Sequence, residues 1–231
     1  MTQSNASSEQ TPRHNTAVRQ HPERMRNDPE LVAAVLREGL LCHVAFVADG
    51  LPYVIPTTYT PFENGIVLHC ATNGRMVRAA GSGMPVSICI TLLDGLVLAR
   101  SALNHSMNYR CVMVFGAGVP IVDRARKRAA LDALVEHVIP GRSPFVRAPT
   151  DADLDRTGVV WFSLDTVSAK VRSGPSMDSA ADRALPTWAG TLPLHIAAGR
   201  PVTDAGTGTE PSVVPDHMTR WSRGGPPHDV A

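Results

Sequence analysis

The sequence predicts a mainly β protein, an antiparallel barrel or sandwich of six or seven short strands with a few short flanking helices. Short apolar runs rich in β-branched and aromatic residues alternate with hairpin signals such as Asp49-Gly50 and Asp94-Gly95. Few segments have helical periodicity, whereas parallel strands would need a crossover helix between successive strands. A glycine-rich turn of the dinucleotide-binding type is missing from the sequence, which excludes a Rossmann domain.

The first half of the predicted domain contains one helix and an antiparallel meander. Asp28 and Pro29 are typical of a helix start, and the apolar residues that follow recur at helical spacing until Gly39. The predicted strands are Cys42–Ala48, Leu51–Thr60 and Ile66–Ala71, joined by turns at Asp49-Gly50 and Pro61–Gly65.

The second half adds two helices and the remaining strands. Residues Asn73–Ala80 change to a helical period, and Gly81-Ser82-Gly83 ends that helix. Asp123 is a helix cap, and Pro140-Gly141 ends the helix that it begins. The predicted strands are Pro85–Leu93, Leu96–Leu103, Arg110–Ile121 and Val159–Lys170.

The 231-residue chain divides into one domain flanked by polar segments. Residues 1–27 hold almost no apolar side chain whose burial could offset the entropy of ordering, so they predict a disordered arm. The predicted domain spans residues 28–174. Beyond it, the apolar island Leu185–Ile196 predicts a carboxy-terminal arm, 175–200, that docks on the domain, and residues 201–231 predict a disordered tail.

Charge and hydropathy exclude several classes of partner. The formal net charge is +1, from 22 basic and 21 acidic residues, so no overall field attracts nucleic acid or an anionic membrane. No apolar stretch approaches the roughly 20 residues that span a bilayer, and the first residues lack the pattern of a secretory signal. We therefore expect a cytoplasmic protein that binds a small molecule, with no nucleic-acid or membrane partner.

Cysteine and histidine residues do not have the spacing of a metal site. Each cysteine lies inside an apolar run, which predicts buried core thiols at Cys42, Cys70, Cys89 and Cys111. The nine histidines are scattered without a pair at helical ligand spacing. We predict no metal site.

Three segments are candidates for a functional site. The turn Ala71–Met76 leaves a strand and enters a helix, where free N–H groups, a glycine and two arginines, Arg75 and Arg78, can form a phosphate cradle; the same residues fit a capped surface helix. The segment Asn104–Arg110 (NHSMNYR) lies between two predicted strands and fits either a binding segment or a polar surface loop. His69 fits either a half-buried packing residue or a proton relay.

Four longer motifs suggest a family. They are PYVIPTTY (52–59), IVLHCATNGRM (66–76), HSMNYRCVMVFG (105–116) and SAKVRSG (168–174). With these motifs the chain resembles, over about residues 28–174, the pyridoxamine 5′-phosphate oxidase-like FMN-binding split barrels. Within them it is most similar to the branch of the nitroimidazole-resistance reductases and flavin-nucleotide-binding proteins. The resemblance implies an antiparallel split β-barrel, FMN as cofactor, and a homodimer with the cofactor at the subunit interface.

The resemblance also implies a set of site residues. Those that run along the flavin ring or its ribityl chain are Ile55, Pro56 and Thr57. Those that match the phosphate turn are Thr72, Gly74, Arg75 and Met76. Those on a second cofactor strand, which often faces a flavin shared with the partner subunit, are Asn108, Tyr109 and Arg110. His69 matches a histidine beside the active site of the nitroimidazole-resistance branch.

Two departures bear on the reaction. Cys111 stands where the family is expected to have serine, and the carboxy-terminal segment lacks the Trp-x-x-Arg-Leu ending with which pyridoxamine-phosphate oxidases grip their substrate. The vitamin B6 reaction is therefore not expected. We expect an FMN-dependent oxidoreductase that reduces a small acceptor such as a nitro compound or quinone, with Arg75 and Arg110 on the phosphate and His69 as proton donor. The alternative is a non-catalytic flavin or haem carrier or sensor.

Overall fold

The computed structural model describes residues 21–204 and 214–222. Its described strands form one antiparallel sheet that curls into a half-barrel, which confirms the predicted split-barrel fold. The strand order is β6-β7-β3-β2-β1-β4-β5-β8. Outside this order, β9 pairs with the last residues of β4, beyond the part of β4 that pairs with β1. The strands are β1 (Leu41–Ala48), β2 (Leu51–Phe62), β3 (Gly65–Ala71), β4 (Val86–Leu98), β5 (Ser106–Gly116), β6 (Val119–Pro120), β7 (Thr157–Ser163), β8 (Val167–Arg172) and β9 (Gly190–Pro193).

Helices lie around this sheet. The α-helices are α1 (Pro29–Glu38), α2 (Arg75–Gly81), α3 (Arg124–Val138), α4 (Asp151–Arg156), α5 (Ala180–Arg183) and α6 (Asp216–Thr219). Short 3-10 turns occur at Pro22–Arg24, Ala102–Asn104 and Ser143–Phe145. No helix in the described ranges is long and apolar enough to cross a membrane.

Local signals in the first half form as predicted. The Asp28 carboxylate accepts a hydrogen bond from the Glu30 N–H at 2.8 Å and thereby caps α1. Asp49 and Gly50 both have positive φ, at 53° and 74°, and close the β1–β2 hairpin as a type I′ turn requires.

Strand alternation builds two apolar layers. The main core lies inside the curled sheet, beneath α1 and α2, and alternate residues of β1, β4 and β5 point into it: Cys42, Val44, Phe46, Val86, Ile88, Ile90, Val112 and Val114. A second cluster lies on the opposite face of β3, where α3 covers it: Val67, Ile121, Ala130 and Val159. Side chains of β3 therefore face two different environments.

The predicted hairpin at Asp94-Gly95 is wrong. Residues Val86–Leu98 form a single strand, with an irregular register between Leu93 and Gly95. The strand continues because β9 pairs with it over Gly95–Leu98, and a Cβ on Gly95 would approach the Leu192 carbonyl oxygen to 2.9 Å. A long-range partner thus overrides a local turn signal. Consequently β5 begins at Ser106, and five of the seven residues of the predicted segment Asn104–Arg110 are strand.

The last predicted strand is also divided. Residues predicted as the single strand Val159–Lys170 form β7 and β8, which end and begin on either side of Leu164–Thr166. These two strands lie at opposite ends of the sheet order, because β7 pairs with β3 and β8 pairs with β5.

Chain outside the predicted domain also packs on it. Met25 forms a bridge with Lys170, and the Asn27 side chain accepts from the Ala169 N–H at 2.9 Å, so the described end of the predicted arm is bound to β8. The Trp221 indole donates to the Val138 carbonyl at 3.0 Å, within the predicted tail. Residues 1–20, 205–213 and 223–231 of the predicted arm and tail lie outside the described residues.

Candidate cofactor sites

The turn after β3 places a helix start next to two cations. Gly74 is the N-cap of α2, and it has no side chain that could cap the first N–H groups of the helix. Arg75 and Arg78 follow on the exposed side of α2, three residues apart. Neither arginine forms an ion pair with a residue in the described ranges. An anion would meet two uncompensated charges here.

Arg75 is held in place by an aromatic ring. Its guanidinium lies over the Tyr53 ring, 4.6 Å from the centroid, and Tyr53 in turn stacks on Phe46 at 5.6 Å. Phe46 belongs to the main core. The stack therefore fixes the Arg75 side chain against the rigid β1–β2 hairpin without neutralising its charge.

The other residues of the predicted phosphate turn have structural contacts. The Thr72 hydroxyl donates to the Asp155 carbonyl at 2.9 Å, and the Thr72 N–H donates to the Arg156 carbonyl at 3.1 Å. Met76 is 7% exposed and packs in the main core. Both residues anchor the turn to the barrel, while the Arg75 side chain is exposed.

The predicted flavin-ring segment of β2 alternates between two faces. Pro56 is exposed and lies opposite His43 on β1. Ile55 packs against the main core, and Thr57 is half-buried with its carbonyl near the Cys42 thiol. Only backbone groups and Pro56 are therefore presented to the outer face.

The second predicted cofactor strand is held by a polar network. The Asn108 amide donates to the Gly174 carbonyl at 3.2 Å and accepts from Arg172, which is 8% exposed. Tyr109 is half-buried and lies between Leu93 on β4 and Arg172 on β8. These contacts tie the start of β5 to the chain that follows β8.

Arg110 is saturated by two carboxylates. It donates to both oxygens of Asp94, at 2.9 and 2.7 Å, and to both oxygens of Glu38, at 2.5 and 2.9 Å. The hydrogen bonds that Arg110 donates to Asp94 and Glu38 raise the pKa of its guanidinium. Since this cation joins β5 to β4 and α1, its geometry does not support the expected phosphate contact.

His69 faces away from the main core. Val67 and His69 share one side of β3, so the imidazole points toward α3 and lines a cavity of about 530 Å³. The apolar lining comes mainly from α3 and the chain after it, and Arg128 and Arg147 lie at the same cavity. These two arginines are paired with Asp151 at 2.6 Å and Asp153 at 2.7 Å.

The His69 imidazole has no described hydrogen-bond partner. Its Nδ1 atom is buried and unpaired among the described residues, a condition that calls for an explanation in a folded protein. Burial lowers the pKa of His69, which keeps the ring neutral near pH 7. A neutral imidazole can bind a metal-containing ligand or accept a hydrogen bond.

The predicted site residues fall into three separate places in the chain. Arg75 lies over Tyr53, His69 lies in the α3 cavity, and Arg110 lies between α1 and β4. The distance between the Arg75 and Arg110 positions can be counted along β4. Tyr53, beneath Arg75, pairs with Phe46, whose neighbour Ala45 lies opposite Ser87 of β4. Arg110 lies opposite Leu92 of β4. Five to six residues of β4 separate these positions, on the order of 20 Å along the strand.

Sequence reasoning missed the cavity wall and the outward cysteines. Helix α4 and the chain at 143–149 form the cavity wall only through tertiary packing, so no local signal marks them. Cys42 is buried as predicted, and Cys70, although half-buried, packs against the main core. Cys89 and Cys111 are half-buried on the outer face, so the core prediction is wrong for these two. The alternation of Val86, Ile88 and Ile90 could have placed Cys89 on the outer face.

Comparison with known protein families identifies the family to which this chain belongs. Residues 28–171 match the sequence profile of the family described as pyridoxamine 5′-phosphate oxidase, and the protein belongs to that family. The superfamily includes flavin-binding oxidoreductases, as well as proteins named for binding alone. A search of curated proteins found no match.

Solved structures extend the likeness to nearly the whole chain. The flavocytochrome Anf3 from Azotobacter vinelandii is 32% identical, with a TM-score of 0.83 over 90% of this chain and 96% of that chain. An FAD and haem binding protein from Mycobacterium smegmatis is also 32% identical, with a TM-score of 0.80 over 85% and 96%. A protein assigned to 5-nitroimidazole antibiotic resistance in Bacteroides thetaiotaomicron, at 22% identity and a TM-score of 0.54 over 64% and 86%, shares the fold.

Burial of His69 predicts a pH-dependent stability. Because the pKa of His69 is lowered from 6.5 in the folded state, protonation favours the unfolded chain once the pH falls below about 6.5. The free energy of unfolding of wild type should therefore fall more between about pH 7.5 and 5.5 than that of His69→Leu, by up to about 1.4 kcal/mol per pH unit. Urea unfolding at several pH values measures this. His105→Leu, at an exposed histidine, should follow wild type; parallel curves for wild type and His69→Leu would contradict the prediction.

Proposed function

We propose that the protein is a flavin-nucleotide-dependent oxidoreductase whose cofactor phosphate binds at Gly74, Arg75 and Arg78. The observation that carries this proposal is a pair of arginines without acidic partners in the described chain, next to an uncapped helix start. Family membership supplies the context, because the relatives include a flavocytochrome and an FAD-binding protein.

The unpaired like charges of Arg75 and Arg78 favour a phosphate-binding role over a structural role for these two residues. Like charges three residues apart on a helix repel by a few tenths of a kcal/mol, and no carboxylate in the described chain offsets the repulsion. A phosphate between Arg75 and Arg78 would turn this repulsion into charge-assisted hydrogen bonds. Arg110 contributes to this site only as a support for β5, since four of its five N–H donors already bind Asp94 and Glu38.

FMN is the cofactor that the sequence motifs imply, whereas one relative is described as binding FAD. Both carry a phosphate that Arg75 can hold. Denaturing the purified protein and separating the released flavin by chromatography distinguishes the two. Bound flavin would supply two-electron transfer to a small acceptor such as a nitro compound or quinone.

The chain's own residues would bind and orient the cofactor. Arg75, fixed on the Tyr53 ring, provides a rigid anchor, and the outward backbone groups of β2 around Pro56 provide hydrogen bonds along the ligand. The three predicted groups are far apart within one chain. A flavin that contacts both the α2 turn and the start of β5 would therefore lie between two subunits.

Removing the anchor should weaken flavin binding. Arg75→Ala should lower flavin affinity by about 2 kcal/mol, or roughly 30-fold, because it deletes hydrogen bonds to an ionised phosphate. Arg78→Ala should lower it less, since no ring holds that side chain. Arg37→Ala, at an exposed arginine of α1, is the matched control and should bind as wild type does. Fluorescence titration of the four flavin-free proteins, each with FMN and with FAD, measures these affinities; equal affinity for Arg75→Ala and wild type discards the site.

We further propose that the protein is a homodimer that shares its flavins across the interface. Leu192, Leu96 and Met107 lie side by side on β9, β4 and β5, and they are 52%, 37% and 50% exposed. An exposed apolar row of this kind is typical of a surface that another molecule covers. Met107, at one end of the row, belongs to the predicted binding segment Asn104–Arg110.

Disrupting the apolar row should separate the subunits. Leu96→Glu should shift the protein toward monomer and lower its flavin content, because a charge is costly in an apolar interface. Val122→Glu, at an apolar residue that is 86% exposed elsewhere, is the control and should sediment like wild type. Sedimentation with and without flavin measures both effects. A wild-type monomer that retains flavin contradicts the shared-site proposal.

A second candidate function is haem binding at His69. The imidazole is neutral, makes no described hydrogen bond and lines a mainly apolar cavity of about 530 Å³, within the range of cofactor pockets. Histidine is a common axial ligand of haem iron, whereas Arg128 and Arg147 at the same cavity are already paired with Asp151 and Asp153. Two 32% identical relatives are described as a flavocytochrome and as a haem-binding protein, which supports this candidate.

Haem binding should depend on His69 and not on Arg75. Adding hemin to wild type should produce a shifted Soret band, and His69→Leu should lose that band or need at least about tenfold more hemin, because the axial ligand is gone. His69→Leu should keep its flavin affinity. The control is again His105→Leu. Equal hemin titrations for wild type and His69→Leu exclude His69 as the ligand and leave the flavin site untouched.

A further inference from the structure

Two cysteines lie in contact on the outer face of the sheet. The sulfur atoms of Cys89 on β4 and Cys111 on β5 are 3.7 Å apart, and both residues are half-buried free thiols. The Thr91 hydroxyl lies 3.5 Å from the Cys89 sulfur. This pair has no role in the proposed flavin or haem sites.

Strand register explains why the two thiols meet. Cys89 lies opposite Met113, and Cys111 lies opposite Thr91, so the two cysteines are diagonal neighbours. Inward residues of both strands belong to the core, which places the alternate residues, the cysteines among them, on the outer face. Their contact is therefore set by the same pairing that builds the barrel.

Basic residues flank the thiols on both sides. His43 on β1 lies opposite Cys89, and Lys170 on β8 lies opposite Cys111. A hydrogen bond from Cys111 lowers the pKa of Cys89, while the same contact raises the pKa of Cys111. Burial instead raises the pKa of Cys42 to about 12 and also raises that of Cys70. Cys89 lies beside both His43 and the Thr91 hydroxyl, so it is the better placed of the two thiols to act as the nucleophile.

A metal site is the less favoured use of this pair. No group of three or more His, Cys, Asp or Glu side chains that could hold a metal occurs within the described residues. Structural zinc sites usually have four protein ligands, and catalytic ones have three. Two thiols, one activated and one protonated, instead match the requirements of thiol–disulfide exchange.

We propose that Cys89 and Cys111 form a redox-active dithiol that an excess of a low-molecular-weight disulfide oxidises reversibly. The Cys89 thiolate attacks one sulfur of the substrate disulfide, forms a mixed disulfide and releases one substrate thiolate. Cys111 then loses its proton to solvent and attacks the Cys89 sulfur, which forms the Cys89–Cys111 disulfide and releases the second thiolate. The two protein thiols are oxidised by two electrons, and the substrate is reduced to two thiols.

Strand geometry makes this disulfide labile. Diagonal neighbours have Cα atoms about 7–8 Å apart, slightly more than the range of up to about 6.8 Å seen in disulfides. The bond therefore forms only with a local shift of the strands, and because a strained disulfide is more oxidising than an unstrained one, it forms under an excess of the substrate disulfide and is easily reduced again. A reversible pair is expected from this geometry, not a permanent cross-link. The irregular register at Leu93–Gly95 lies close by on β4, where the backbone already departs from regular pairing.

The test uses the full chain and oxidised glutathione near pH 7, with intact-mass and thiol-titration readouts. Wild type should lose two titratable thiols and two hydrogen atoms in mass, with no lasting glutathione adduct. Cys111→Ser should stop at a stable glutathione adduct on Cys89. Cys89→Ser should react at least about tenfold more slowly, because the activated thiol is gone. Cys70→Ser is the matched control at another half-buried thiol and should behave as wild type does.

Two outcomes overturn the proposal: wild type that keeps all four thiols, or wild type that accumulates a glutathione adduct without forming the internal bond. Phenylarsine oxide provides an independent measurement, because it bridges only two neighbouring thiols. It should protect two thiols of wild type and of Cys70→Ser from titration, and none in Cys89→Ser or Cys111→Ser. Equal protection in all four proteins also overturns the proposal. Neither readout depends on flavin or haem binding.

Discussion

Pairing of β4 with three other strands is the constraint on which the rest of the structure depends. The strand pairs with β1 and β5 along its first part and with β9 beyond the irregularity at Leu93–Gly95. Side chains alternate along β4, so Ile88 and Ile90 point into the barrel and Cys89 points outward. Through the pairing register, β4 also fixes which side chains of β1 and β5 face the core. A slip by one residue would invert core and surface across the whole half-barrel.

The distribution of counter-ions separates structural cations from candidate binding cations. Arg110 and Arg100 are paired with carboxylates that join distant segments: Arg110 connects β5 with α1, and Arg100 holds the buried Asp178 of the carboxy-terminal arm. Arg75 and Arg78 lack such partners among the described residues. An arginine that already donates to two carboxylates has few donors left for a ligand, so the free pair is the better phosphate site.

Opposite faces of β3 separate the two proposed cofactor sites. Leu68 points into the main core, and its neighbour His69 points into the cavity beneath α3. Because β3 runs directly into the α2 turn, the same short stretch of chain supplies both the candidate haem ligand and the candidate phosphate anchor. The two sites can be tested separately, since their side chains lie on different sides of the sheet.

The sequence by itself determined the fold class, the α1 cap at Asp28, the Asp49-Gly50 hairpin and the exposed position of Arg75, because these features rest on period, capping and turn chemistry within a few residues. Only the tertiary structure decided that β4 continues through Asp94-Gly95, that Arg110 is saturated, that His69 lines a cavity and that Cys89 meets Cys111. Each of these depends on partners far away in the chain: β9, Glu38, α3 and β5. Local chemistry cannot specify which distant strand or helix will supply a partner, since that choice is made by burial and register over the whole sheet.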